Sequence, residues 1–154
     1  MRISVKYGAA AVALAAAACL LPGSLSQAAP AQVANQASQW WPSAAERSAR
    51  SVEARFINRS NALDAAGIAA LIAPDAKWDS VGNLFNGRDD IMNRLIIPAV
   101  IQTSARYTVI GSHWDGFRLQ MDYHFVSKTG DDVLLHYAYL VRNGQIADIV
   151  EYID

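Results

Sequence analysis

A single cysteine among 154 residues, Cys19, removes disulfide frameworks and paired-cysteine redox or zinc motifs from consideration. Histidine is nearly as scarce: His113, His124 and His136 are too scattered to suggest a metal centre. Positive charge is not in excess. Thirteen Lys and Arg against 14 Asp and Glu give −1, so no basic face argues for nucleic acid. Nor is there a long hydrophobic run, since "GAAAVALAAAACLL" (8–21) falls short of the roughly 20 residues that span a bilayer. Glycine-rich phosphate loops and nucleophile elbows are missing too. No cofactor or metal is expected.

What is present begins with an address. Arg2 and Lys6 make a basic start, the apolar run follows, and "PGSLSQA" supplies a helix breaker with small residues at Ser26 and Ala28. This is the layout of a secretory signal peptide over 1–28, which predicts a secreted or periplasmic protein with no stable membrane insertion after cleavage. A lipoprotein anchor on Cys19 is the rival reading, against which Ala16 stands where a lipobox usually carries Leu. Without Arg2 and Lys6 the chain keeps 11 basic and 14 acidic residues, a net −3. Residues 29–42 read as a flexible leader ending in Trp40 and Trp41, which are expected to pack on the domain edge, and 43–154 read as one domain.

Within that domain Ala45, Ala49, Val52 and Phe56 recur at helical spacing, with Ser43 and Glu46 as a capping box. A short second helix is predicted from cap Asp64 through "AAGIAALIA" to Pro74, followed by a strand candidate, "DAKWDSV". The stretch "NGRDDIMNRLII" predicts a third helix capped by Asn86 and broken or kinked at Pro98. Four alternating segments fill 106–153, joined at Asp115-Gly116, at "KTGD" (128–131) and at Asn143-Gly144. Asp-Gly and Asn-Gly between such segments are hairpin signals. Helices followed by an antiparallel meander give an α+β domain with helices on one sheet face.

Two-residue turns at Asp115-Gly116 and Asn143-Gly144, with an even-numbered turn around Thr129-Gly130, predict a register. It pairs Tyr123 with His136, His136 with Glu151 and Ala138 with Ile149. One covered face then carries Trp114, Phe117, Leu119, Met121, Phe125, Leu134, Leu140 and Ile149, crossed by the row Tyr123, His136, Glu151. The reverse face would carry Leu135, Tyr137, Tyr139, Val141, Ile146 and Tyr152, an apolar patch that predicts a homodimer.

The stretches "RFINRSNALDAAGIAALIAPDAKWDSVG", "FNGRDDI" and "HYAYLVRNGQIADIVEYID", in this order, resemble the nuclear transport factor two-like superfamily, and within it the SnoaL-like domains. The resemblance covers about 45–153 and implies a cystatin-like cone: three helices closing over a curved, mostly antiparallel sheet around an apolar pocket. It also implies a histidine on the penultimate strand and an acid on the last, here His136 and Glu151. Ketosteroid isomerases of that superfamily carry a tyrosine where this chain has Phe56, and a base near Asp79 or Ser80. Their second acid falls near Ala138, and these departures argue against steroid isomerisation by that mechanism.

Two readings stay open. In the first, an exported acid–base enzyme acts on a small apolar carbonyl compound by cyclase-, isomerase- or dehydratase-like chemistry. His136, Glu151, Tyr123 and Asp79 would be its catalytic groups, and Phe56, Trp78, Trp114, Phe117, Met121, Ala138 and Ile149 would contact the ligand. In the second, the same cone is a non-catalytic binding or assembly domain, because fold alone does not choose among functions.

Overall fold

The computed structural model describes residues 41–154. The expected signal segment 1–28 and the leader up to Trp40 lie outside the described residues. Trp41, expected to pack, is 79% exposed.

Helix α1 (Ala44–Asn61) starts where the capping box predicts: Ser43 Oγ accepts from Glu46 N at 3.0 Å. It buries Ala49, Val52, Glu53, Phe56 and Ile57. Asp64 caps α2 (Ala65–Leu71) by accepting from Gly67 N at 2.8 Å. The chain then passes directly into β1 (Ile72–Ser80), so Pro74 lies inside a strand instead of ending a helix. It is tolerated because β1 leaves its ladder with β6 between Ile72 and Lys77, where no amide hydrogen is required. A hairpin at Val81-Gly82 leads into β2 (Asn83–Asn86), a strand not anticipated from the sequence.

Gly87, not Asn86, occupies the cap position of α3 (Arg88–Ile91), and Asp90 Oδ2 accepts from Asn86 N at 2.9 Å. The helix does not break at Pro98 but widens into a π-helical segment, Met92–Ile101. Proline lacks an amide hydrogen and its ring clashes with the carbonyl four residues back; wider turns move that carbonyl away.

Four strands follow: β3 (Arg106–Trp114), β4 (Leu119–Val126), β5 (Asp132–Arg142) and β6 (Gln145–Ile153). The sheet order is β2-β1-β6-β5-β4-β3, with β1 and β6 parallel and every other pair antiparallel. The α+β architecture predicted from the sequence is the one observed: helices cover one face of a mostly antiparallel sheet.

The register is where prediction and structure part. Asn143-Gly144 does form the two-residue turn, with both residues at positive φ and Arg142 opposite Gln145. One step later Ala147 is an extra residue: Val141 pairs with Ile146 but Leu140 pairs with Asp148. Beyond this bulge Glu151 lies opposite Tyr137, not His136. The β4–β5 connection has five residues, 127–131, gathered around Ser127, whose amide donates to Asp131 O at 2.9 Å. An odd loop inverts parity, so Tyr123 pairs with Leu135 and His136 with Asp122.

The Asp115-Gly116 connection is also longer than expected. Asp115 Oδ1 accepts from Phe117 N at 2.8 Å and Arg118 N at 2.6 Å, and Trp114 pairs with Leu119. Such side-chain capture of the backbone replaces a tight hairpin turn. A further irregularity at Ile110 adjusts β3.

Strand β4 and the part of β6 beyond Ala147 therefore keep their predicted inner faces, while β5 is turned over. Leu135, Tyr137 and Tyr139 are buried in the core, and Val141 and Ile146 also pack inward. The apolar reverse patch that suggested a homodimer is largely this core surface, so that argument falls. Phe56, Trp78, Tyr107, Tyr123, Tyr137 and Tyr139 form a continuous set of tilted or edge-to-face ring pairs at the centre. These pairs bury large apolar areas while leaving the phenol oxygens to find partners.

Candidate functional site

A cavity of about 280 Å³ opens between the sheet and the π-helical segment. Five strands and loops supply its polar and aromatic wall: Trp78 from β1, Tyr107 from β3, Phe125 from β4, Tyr137 from β5 and Glu151 from β6. Leu95, Ile96, Ala99 and Val100 form the apolar roof, and Asp131 also lines it from the loop before β5.

Glu151 is 6% exposed and is placed by two strands. On one side Ser80 is its parallel partner, on the other Tyr137 is its antiparallel partner. Trp78 Nε1 donates to Glu151 Oε2 at 2.9 Å. Burial raises the pKa of this carboxyl above the usual glutamate range; the Trp78 indole and Ser80 hydroxyl oppose the shift, and the negative charge of Asp79 adds to it. The Trp78 and Tyr137 rings meet edge to face, centroids 5.4 Å apart at 84°. The Tyr107 and Tyr137 hydroxyls lie 3.2 Å apart, and burial holds both phenols neutral by raising their pKa values. The wall thus combines a carboxyl able to take or give a proton with a phenol pair able to donate a hydrogen bond.

A second buried polar group sits behind these rings. Tyr123 Oη donates to Glu53 Oε1 at 2.8 Å and lies 3.1 Å from the Tyr139 hydroxyl. Burial raises the Glu53 pKa, against the Tyr123 hydrogen bond and the Arg50 charge. Glu53 and Tyr123 do not line the cavity.

The predicted row is therefore divided. Glu151 and Trp78 line the cavity, whereas Tyr123 is sealed in the core with Glu53. His136 lies on the reverse face, its Nδ1 2.7 Å from Asp122 Oδ1 and its Nε2 3.0 Å from Asp154 Oδ2. Those carboxylates raise its pKa. Asp79 anchors the β1–β2 hairpin, accepting from Gly82 N at 2.8 Å. Phe56, Met121 and Ile149 are core residues, and Trp114 is partly buried beside them. Phe117 is 63% exposed because the Asp115 turn lifts it off the sheet. Ala138 lies on the reverse face, where its carbonyl accepts from Arg118 Nη1 at 3.0 Å. Among the described residues, no group of three or more His, Cys, Asp and Glu is placed to hold a metal ion.

Tyr107, Tyr137 and the π-helical roof were missed from sequence. A signal for Tyr137 was available: Val133, Leu135, Tyr137, Tyr139 and Val141 alternate without a charged member, whereas the face chosen for the core contains His136.

No family model and no curated protein matches the chain. Solved structures do. A nuclear transport factor two-like protein of unknown function from Mesorhizobium loti superposes with a TM-score of 0.65 at 18% identity, covering 74% of this chain and 97% of that one. A candidate polyketide cyclase from Sinorhizobium meliloti gives 0.60 at 20% identity, over 66% and 94% of the two chains. A candidate ketosteroid isomerase from Kribbella flavida gives 0.61 at 15% identity, over 70% and 78%.

Proposed function

The chain has the nuclear transport factor two-like fold, and on that fold we propose that its cone binds a small, largely apolar carbonyl compound and exchanges protons with it. The observation that carries this reading is Glu151, a carboxyl buried in the wall of a mostly apolar cavity and flanked by a phenol pair. In its ionised form Glu151 removes a proton next to the carbonyl, and the same group returns it at another position. The Tyr107–Tyr137 pair donates to the carbonyl oxygen as negative charge develops there, and the apolar roof limits water. This keeps the acid expected from the sequence and replaces His136 and Tyr123 by Tyr137 and Tyr107. The sequence of residues 1–28 supports an exported protein as the setting for this chemistry.

The test is deuterium incorporation from heavy water into a panel of small cyclic ketones, followed by mass spectrometry. Wild type should label a ketone at its α-carbon. Glu151→Gln should slow labelling by about 100-fold or more, in the range of a lost general base, while still binding the ketone. His136→Ala should label at the wild-type rate. Equal rates in wild type and Glu151→Gln would sink the catalytic reading and leave a binding cone.

A further inference from the structure

We propose that the molecule held in the cone carries a positively charged nitrogen on its apolar body. The proposal rests on the cone being the ligand site and does not require catalysis there. Its first support is the sign of the charges: among the described residues, the ionisable side chains of the wall besides the phenols are Glu151 and the exposed loop acid Asp131, and no Lys, Arg or His lines the cavity. An anion would enter a site with two carboxyls and no countercharge. Its second support is independent and lies in the rings. Trp78, Tyr107, Phe125 and Tyr137 all line the cavity. Their planes meet steeply, at 84° for Trp78–Tyr137, 71° for Tyr107–Phe125 and 61° for Tyr107–Tyr137. Four aromatic residues from four strands thus line one small cavity, and aromatic walls of this kind attract a cation through their ring quadrupoles.

Size agrees with the charge. About 280 Å³ lies just below the usual range of ligand pockets, about 300 to 1,000 Å³, and suits one ring bearing a compact ammonium group. The two roles of Glu151 are compatible as well. Burial favours its neutral form, and a cation bound beside it favours the ionised form that a base requires. The ligand's own charge would then switch the carboxyl into its working state.

The experiment compares three probes of similar size on the full chain by calorimetric titration: phenyltrimethylammonium, its uncharged isostere tert-butylbenzene, and benzoate. The cation should bind about 10-fold or more tighter than the isostere, the scale expected of a desolvated cation among aromatic rings, and benzoate should not bind. In Glu151→Gln the cation's advantage should fall several-fold while the isostere binds as before. Equal affinity for cation and isostere overturns the proposal and leaves the cone as an apolar site. Binding of none of the three overturns both the proposal and the cone reading. The wild-type comparison decides alone, so the result stands even where the variant folds poorly.

Discussion

Glu151 is a residue whose ionisation the fold opposes. Its pKa is raised chiefly by burial, so the neutral form is favoured in the native state. For an acid shifted upward, the stabilising contribution is fully present below the unfolded value, near 4.5, and is lost as pH rises through the folded value. Glutamine keeps an acceptor for the Trp78 indole and has nothing to ionise. Glu151→Gln should therefore melt close to wild type at pH 4 and above it at pH 8, as read by thermal scans. A variant less stable than wild type at both pH values would show that the carboxyl stabilises the fold by means other than its neutral form. On the proposed reading, the same residue is one at which stability and chemistry pull in opposite directions.

At the scale of elements the decisive feature is parity. The caps at Ser43 and Asp64 and the Asn143-Gly144 turn were legible because each rests on a local hydrogen bond or backbone preference. The extra residue at Ala147 and the five-residue loop 127–131 were not, because no residue type announces them. Each moves the pairing by one position, and between them they invert β5 while leaving β4 and the part of β6 beyond Ala147 as expected. This is why turn lengths alone put Glu151 on the inner face and Tyr137 on the reverse one. Comparing the two faces of β5 for unbroken apolar alternation, before trusting turn lengths, would have corrected the choice. Deleting Ala147 tests the role of the bulge. The shortened β6 must either lose the Arg142–Gln145 pairing beside the turn or move Glu151 and Ile149 off the core face. A fall in melting temperature of about 10 °C or more is expected, since a register error displaces a whole buried row. Wild-type stability in the deletion would mean that β6 accepts either register.

For the molecule as a whole, three shifted groups point the same way. Glu53 and Glu151 lose their stabilising contribution as pH rises above 4.5. His136, held between Asp122 and Asp154, contributes fully below 6.5 and loses that contribution as pH passes its raised folded value. Asp90 and Asp115, whose pKa values are lowered, oppose this only in strongly acid solution and at exposed sites where solvent screens them. The protein should accordingly melt at a higher temperature at pH 5 than at pH 8.5, a comparison that calorimetry makes directly. A maximum on the alkaline side would refute the assignment of these three groups.

The roof of the cone has a consequence of its own. Leu95, Ile96, Ala99 and Val100 all belong to the widened helix Met92–Ile101, whereas the carboxyl and the phenols stand on the sheet. A helix already wound with one residue too many per turn can shed or gain a residue by local rewinding, without dragging its neighbours along. Change in the reach of the roof is thereby uncoupled from change in the carboxyl and phenols beneath it. A lineage could resize the cone through single-residue insertions and deletions overhead, with the polar wall below left standing.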